Sequence, residues 1–298
     1  MDAGRLLHAG VLTHRERTAF MKWNVVTDSS CDLIPSDYRS DAIELSSVPF
    51  EISVGVRGYT DGEQLDIQEM LRDMEQEKTA SYTSCPAPGA WLEQFEKADR
   101  TIAITISSQL SGSMNSALTA RDLALEADPD KKIAVLDSRS TGPELVLCVR
   151  EIERLAREGI GFDEAVDRVN AFLDKTKVIF ALSSFDNLIK NGRMHKMAGF
   201  LAKALGMWGI GSASDEGRIV VEGKTRGPKR TVRALIECMR ERGFSGGNVA
   251  ISHCDNHAVA HALKDGILNA WADSQIEILP TRGLCSYYAE RGGLIVGF

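Results

Sequence analysis

Three apolar, strand-like runs in the first half of the chain each end in a loop that is rich in hydroxyl side chains. The loops are Asp28-Ser29-Ser30, Ser107-Ser108-Gln109-Leu110-Ser111-Gly112 and Asp137-Ser138-Arg139-Ser140-Thr141-Gly142. If the three strands are parallel in one sheet, their carboxyl ends gather hydroxyls and free backbone N–H groups along one crevice. Such neutral donors, together with helix N-termini, suit a small anionic group such as a carboxylate or a phosphate.

Ser, Thr and Asp are also the ordinary N-caps of helices that follow strands, so a cap explains each loop when it is taken alone. The second loop, however, carries more hydroxyls than capping requires, and Gly112 leaves room for another group to approach the backbone. The three loops together therefore favour an anion site.

Two arginines beside glycine turns could complete such a site. Arg193 follows Asn191-Gly192, and Arg226 precedes a glycine. A guanidinium there can reach a carboxylate or phosphate across a cleft, although a weak surface ion pair explains either residue equally well. Lys229 and Arg230 open a predicted helix against its dipole, which indicates an anionic partner.

Other site chemistries have little support in the sequence. The P-loop, the dinucleotide-binding G-x-G-x-x-G and the G-x-S-x-G nucleophile motif are absent. His253, His257 and His261 would share one helix face, but Ala258 stands where an H-E-x-x-H zinc motif has its general base. We therefore expect no metal site and interpret the three histidines as a solvated face with one partly packed ring.

Composition bounds the class of protein. The chain has 298 residues, 43% of them apolar, and a net charge of −7, which argues against a nucleic-acid partner. Its six cysteines form no Cys-x-x-Cys pair, and no apolar run approaches the roughly 18 residues of a membrane span. Residues 1–20 lack the continuous apolar core of a secretory signal. These features predict a cytoplasmic protein.

The order of elements predicts an α/β protein of two domains. Strands at 101–106 and 133–136 alternate with helices at 113–127 and 143–158, which is typical of a parallel sheet. Gly159-Ile160-Gly161 then interrupts the helical pattern and marks the boundary. We predict an extension over 1–20, a parallel-sheet α/β domain over 21–160 and an α/β domain with a mixed or antiparallel sheet over 161–298. The second domain includes an apolar helix at 197–205.

Five segments, in order, resemble motifs of the DegV family, and the similarity covers residues 21–298. The second segment resembles the family's Thr-Ser-Gln-Pro motif, with Cys85 here in place of Gln, and the last segment ends Asn-Gly-Arg where the family usually has Gly-Gly-Arg. The segments are Val25-Val26-Thr27-Asp28-Ser29-Ser30-Cys31-Asp32-Leu33, Thr83-Ser84-Cys85-Pro86, Ile106-Ser107-Ser108-Gln109-Leu110-Ser111-Gly112-Ser113, Asp137-Ser138-Arg139-Ser140-Thr141 and Leu188-Ile189-Lys190-Asn191-Gly192-Arg193.

The resemblance implies a carrier rather than an enzyme. DegV proteins hold a long-chain fatty acid, with its carboxylate on hydroxyls between two α/β domains and its tail in the second domain, and they present it to a separate fatty-acid kinase. For this chain the resemblance implies no cofactor, and it allows a transient membrane contact. The head-group residues that it implies are Thr83, Ser84, Ser107, Ser108, Ser111 and Gly112, with Arg193 and Arg226 nearby.

One departure from the family pattern concerns the head group. The family usually ends in His-x-Gly-Pro-Gly, whereas this chain has Tyr288 at the histidine position, followed by Ala289-Glu290-Arg291. A tyrosine hydroxyl can donate to a carboxylate but cannot carry the charge of an imidazolium. Residues 207–215 also depart from the family pattern, which predicts a tail pocket of different depth or shape.

Two functional hypotheses follow. The first is a fatty-acid carrier, in which the tail supplies affinity, so that Ser107→Ala weakens binding modestly and a bulky polar residue in 197–205 weakens it severely. The second is an enzyme that acts on a small anionic substrate in the same cleft, with Arg193 and the serines as an electrostatic clamp. A carrier would co-purify with lipid, whereas the enzyme would not.

Overall fold

The computed structural model describes residues 22–77, 81–194 and 206–298. The predicted extension over 1–20 and the predicted apolar helix 197–205 lie outside the described residues. None of the helices in the described part of the chain is long and apolar enough to cross a bilayer.

The described strands form three sheets. In chain order they are β1 (Trp23–Asp28), β2 (Ile43–Val48), β3 (Glu51–Val54), β4 (Arg57–Thr60), β5 (Ser81–Ser84), β6 (Arg100–Thr105), β7 (Lys132–Asp137), β8 (Val178–Leu182), β9 (Met207–Ala213), β10 (Ile219–Arg226), β11 (Asn248–His253), β12 (Gln275–Pro280) and β13 (Leu294–Gly297).

The described α-helices alternate with these strands or cover the sheets. In chain order they are α1 (Ile67–Gln76), α2 (Pro88–Phe95), α3 (Ser113–Ala127), α4 (Pro143–Arg157), α5 (Phe162–Leu173), α6 (Asp186–Lys190), α7 (Pro228–Glu241), α8 (His257–Ala270) and α9 (Gly283–Ala289).

The first sheet has the order β2-β1-β6-β7, and all of its neighbouring strands are parallel. Every residue of β1 is buried, as expected for a central strand that is covered on both faces. Helices α2 and α3 pack on one face, where Trp91 and Phe95 meet Ala117 and Ala120. The predicted parallel α/β sheet is therefore confirmed.

The second sheet has the order β10-β9-β8-β13-β11-β12, in which only the pair β11 and β12 is parallel. This confirms the mixed sheet that the sequence predicts. Alternation of side chains divides its strands between two faces. Ile179, Ala181 and Val296 pack towards α7 and α8, whereas Phe180 and Ile295 lie on the opposite face, towards the first sheet.

Helix α4 lies between the two sheets. It packs against β1 of the first sheet and against β11 and β13 of the second. Its first seven residues, 143–149, are all buried, whereas its second half carries a charged face with exposed Arg154 and Arg157. The loop ends of the first sheet are thereby held against the second sheet.

A small antiparallel sheet, β4-β3-β5, was not predicted. The sequence predictions include no strand at 81–84, but these residues form β5, and Thr83 pairs with Ile52 of β3. Four residues are too few for periodicity to reveal a strand. Helix α9 was also not predicted, and both unpredicted elements carry residues of the site described below.

Candidate functional site

A cavity lies between the second sheet and the loops at the carboxyl ends of the first sheet. It encloses about 810 Å³ of space between its lining atoms, part of which is open to solvent. Most of its lining is apolar. The lining residues are Phe50, Thr83, Ile106, Leu110, Ser111, Arg139, Ser140, Thr141, Val178, Phe180, Leu182, Leu188, Arg193, Ser212, Ala213, Gly217, Arg218, Ile219, Leu284, Cys285, Tyr288, Ala289 and Ile295.

The first two hydroxyl loops are joined by Asp28, which is fully buried. Its carboxylate accepts hydrogen bonds from the backbone N–H and hydroxyl of Ser30, from the N–H of Ile106 at 2.9 Å and from the hydroxyl of Ser113 at 2.6 Å. Burial raises the pKa of Asp28, against the opposing effect of these hydrogen bonds. The hydroxyls of Ser30 and Ser113 are thus used to hold the fold.

Ser107 has a similar structural partner. It is buried, and its Oγ donates to the carbonyl oxygen of Gly217 at 2.8 Å, which fixes the turn between β9 and β10 on the first sheet. Gly217 has a φ of +87°, and a Cβ there would lie 2.3 Å from Ser107 Oγ. Only glycine fits this contact. Ser107 therefore fixes the wall of the cavity at Gly217. Its hydroxyl proton is donated to the Gly217 carbonyl and is not available to a ligand.

Donors that face the cavity are gathered near Tyr288. Its hydroxyl lies 2.8 Å from Thr83 Oγ1 and forms a hydrogen bond with it. Ser111 Oγ accepts from the N–H of Ser113 at 3.2 Å, so its own proton is left for a ligand. Arg193 uses Nε on the Leu110 carbonyl at 3.1 Å and Nη1 on the Asn191 carbonyl, and Nη2 has no further partner among the described residues. We call Thr83, Ser111, Arg193 and Tyr288 the head cluster.

Burial raises the pKa of Tyr288 above its ordinary value of 10, while the Thr83 hydrogen bond and the charge of Arg193 oppose that rise. Tyr288 is therefore a neutral donor at physiological pH. In the described part of the chain, neither an imidazole nor a carboxylate hydrogen-bonds to Thr83, Ser111 or Tyr288. The head cluster thus offers donors to an anion, without the adjacent base that nucleophilic catalysis needs.

Helix α9, which carries Tyr288, is fixed at its first turn by buried charged groups. The carboxylate of Asp61 accepts from the N–H groups of Gly283 and Leu284 at 2.8 and 2.7 Å, as a capping side chain does. The guanidinium of Arg282 donates to the carbonyls of Leu33 and Asp61, and the backbone N–H of Arg282 donates to Asp32 Oδ1 at 2.8 Å. These contacts attach α9 to the first half of the chain.

Other predicted head-group residues lie outside the cavity lining. Ser84 is exposed, because successive residues of β5 point to opposite faces and Thr83 takes the inward one. Ser108 is exposed too, and its backbone N–H donates to Asp137 Oδ1 at 3.1 Å. Gly112 does permit a close approach, but the approaching atom is Cys85 Sγ, which would lie 3.3 Å from a Cβ added there.

Arg226 is also not brought to the head cluster. It is exposed at the end of β10, seven residues beyond Ile219, which lines the cavity. At about 3.3 Å per residue, that is roughly 23 Å along the strand. The hairpin of β9 and β10 places Arg226 beside Met207, at the end of the hairpin opposite the cavity.

Several lining residues were not predicted as site residues. Arg139, Ser140 and Thr141 come from the third hydroxyl loop, whose composition was a usable signal. Leu284 and Cys285 come from α9, one turn before Tyr288, and nothing local in the sequence marks them. The apolar side of the cavity is formed by alternate residues of one strand, Val178, Phe180 and Leu182 of β8, which pack beside Ile295.

The three histidines lie along α8 and the end of β11. His257 Nε2 and His261 Nε2 are 3.1 Å apart, and burial, with a smaller contribution from His257, lowers the pKa of His253. Within residues 22–77, 81–194 and 206–298, no group of three or more His, Cys, Asp or Glu side chains could hold a metal ion.

Comparison with known proteins gives one consistent family. The profile described as "Uncharacterised protein, DegV family" matches residues 22–298. A DegV domain-containing protein of Streptococcus pyogenes serotype M1 is 40% identical over 278 residues, which are 93% of this chain and 99% of that protein.

Solved structures agree with this result. The Streptococcus pneumoniae Fatty Acid Kinase (Fak) B3 protein loaded with linoleic acid superposes with a TM-score of 0.90 at 37% identity, covering 93% of this chain and 99% of that one. A DegV family protein from Eubacterium eligens loaded with heptadecanoic acid gives 0.88 at 37% identity, with 92% and 98% covered. Sequence and fold together show that this chain belongs to the DegV family.

Proposed function

We propose that this protein binds a long-chain fatty acid, with the carboxylate on the head cluster and the tail along the apolar face of the second sheet. The observation that carries this proposal is the position of the head cluster at an otherwise largely apolar cavity. Similarity to structures that are loaded with linoleic and heptadecanoic acid supports it.

The energies favour a ligand with a long apolar tail. Burying about fifteen methylenes gains roughly 12 kcal/mol before the costs of binding, at about 0.8 kcal/mol each. A hydrogen bond to a charged group contributes only about 1.5 to 3 kcal/mol, and the bonds together must offset desolvation of the carboxylate. The tail therefore supplies most of the affinity, and the head cluster sets the orientation.

We further propose that the protein is a non-catalytic cytoplasmic carrier, which presents the carboxylate to a separate fatty-acid kinase. The similarity to the Fak B3 protein supports this role. Support also comes from the head cluster, because its hydroxyls contact other hydroxyls and backbone groups rather than a general base. The phosphoryl transfer would then be performed by the partner.

Native mass spectrometry of the freshly purified protein, followed by lipid extraction, tests fatty-acid binding. We expect one bound mass in the fatty-acid range, released on denaturation. A protein that is empty and does not bind added oleic acid would overturn the proposal. The carrier role is tested by adding a purified bacterial fatty-acid kinase and ATP and trapping acyl phosphate with hydroxylamine. Product should require both proteins, and product formed by this chain alone would refute a non-catalytic role.

A further inference from the structure

Tyr287 lies next to Tyr288 on α9, but its side chain points away from the cavity and is fully buried, with an exposure of 0%. Its ring packs with Ile52, Val54 and Met70. Its hydroxyl donates to Ser81 Oγ at 2.7 Å and accepts from Asn191 Nδ2 at 3.0 Å. A buried tyrosine hydroxyl needs a partner, but this one joins two segments that are distant in sequence.

Each of these partners lies two residues from a member of the head cluster. Ser81 and Thr83 share one face of β5, since side chains in a strand alternate. Asn191 precedes Arg193 by two residues, and its carbonyl accepts from Arg193 Nη1. The Asn191 side chain also donates to the Ser81 carbonyl at 3.3 Å. The Tyr287 hydroxyl thus lies where β5, the turn after α6 and α9 meet.

This junction adds to a small number of other contacts: the Asn187 side chain donates to the Tyr287 carbonyl at 2.8 Å, and the Arg193 N–H donates to the Leu188 carbonyl at 2.8 Å. Among the described strands, β5 pairs only with β3, so the backbone ladder holds it from one side. Arg193 follows Gly192, which has a φ of +73°, in a turn outside regular structure. The Tyr287 hydroxyl restrains both segments against α9, where Tyr288 lies.

We propose that Tyr287 is a positioning residue of the head cluster: through Ser81 and Asn191, its hydroxyl sets the spacing of Thr83, Arg193 and Tyr288. This inference rests on the proposed function, because it concerns recognition of the carboxylate. It separates two roles within one side chain. The ring stabilises the fold. The hydroxyl aligns the donors of the head cluster but does not itself contact the ligand.

The test compares a long-chain fatty acid with the fatty alcohol of the same chain length, which lacks the carboxylate. Tyr287→Phe keeps the ring and removes the hydroxyl. We expect the dissociation constant for the acid to rise about five- to tenfold, and that for the alcohol to change less than about twofold, because the loss is confined to alignment of the donors. Tyr38→Phe is the matched control, since the Tyr38 hydroxyl donates to Glu153, away from the cavity, and it should change neither value.

Equal losses for acid and alcohol would show that the hydroxyl supports only the fold, and unchanged values for both would show that it positions nothing; either result overturns the inference. If Tyr287→Phe does not fold, Ser81→Ala removes the acceptor on β5 and should give a smaller, but still acid-selective, loss. Failure of the proposed function is distinguishable, because the unmodified protein would then bind neither ligand, or would bind the alcohol as well as the acid.

Discussion

The two ends of the cavity are built by different means. The head cluster takes one residue from β5, one from the loop after β6, one from the turn after α6 and one from α9, and hydrogen bonds hold these together. The tail side is mainly one face of a sheet, where Val178, Phe180 and Leu182 follow from the alternation of a single strand. Correct placement of the head cluster therefore depends on the whole fold, whereas the tail side depends mainly on the second sheet.

The different construction of the two ends explains how the binding energy is divided between the tail and the carboxylate. Thr83 and Tyr288 already bond to each other, so a carboxylate exchanges one hydrogen bond for others and gains little net free energy. An apolar tail that leaves water has no such competing partner, and its gain grows with every methylene. Damage to the tail side should consequently cost more affinity than damage to the head cluster.

The largest expected effect is on the tail side. Ile219 lines the cavity on the edge strand β10 and is only partly buried, so Ile219→Asp should leave the fold intact. A carboxylate there must be desolvated beside the tail, which costs several kcal/mol. We expect the dissociation constant for a long-chain fatty acid to rise more than about 100-fold, as measured by isothermal titration calorimetry.

Val220→Asp provides the matched control for this variant. Val220 is the next residue of β10, points to the other face and is 38% exposed. We expect that variant to bind like the unmodified protein, since its charge stays in water. Equal weakening by both substitutions would contradict a tail on this face of the sheet. Thermal melting of both variants checks that the fold is kept.

A smaller effect is expected at the head cluster. Ser111→Ala removes a hydroxyl whose proton is available to the carboxylate, whereas Ser108→Ala removes one on an exposed loop position outside the cavity. One lost hydrogen bond to the charged carboxylate, of about 1.5 kcal/mol, corresponds to a roughly tenfold weaker affinity. Ser108→Ala should be neutral. If Ser111→Ala lowered the affinity as much as Ile219→Asp does, the conclusion that the tail supplies most of the affinity would be wrong.

Local sequence pattern is enough to predict part of the fold. Apolar runs that end in hydroxyl loops predict a parallel sheet, and the loops do meet at its carboxyl edge. Local pattern could not tell which hydroxyls remain free for a ligand, because their partners are distant in the chain. Ser107 is used by Gly217, 110 residues away, and Thr83 meets Tyr288, 205 residues away.

The two arginines show the same limit. Arg193 and Arg226 both lie beside a glycine, and sequence pattern treats them alike. Only topology separates them, because the β9–β10 hairpin places Arg226 at its far end, whereas the turn after α6 brings Arg193 against the Leu110 carbonyl. Helix α9 could not be predicted from local sequence for a similar reason, because Asp61, which caps it, is 222 residues away from Gly283.

The smallest expected effect concerns the pH dependence of the head cluster. Because burial raises the pKa of Tyr288 above 10, this residue stays neutral from pH 5.5 to 8 and should give fatty-acid affinity no pH dependence there. Tyr288→His introduces an imidazole with an ordinary pKa of about 6.5. The bound carboxylate favours its charged form, so binding raises the imidazole pKa.

It follows that the gain in affinity of Tyr288→His is fully present below the imidazole pKa of the free protein and is lost as the pH rises through the pKa of the complex. The charge of Arg193 acts on this position, and its repulsion of the imidazolium keeps the gain small. We expect about three- to fivefold tighter binding at pH 5.5 than at pH 8, because that repulsion largely offsets the pairing of the imidazolium with the carboxylate. The unmodified protein, titrated with the same fatty acid, should show no such change. The same pH dependence in the unmodified protein would mean that a group other than residue 288 titrates beside the carboxylate. The neutral donors Thr83 and Tyr288 would then not be the groups that hold the carboxylate.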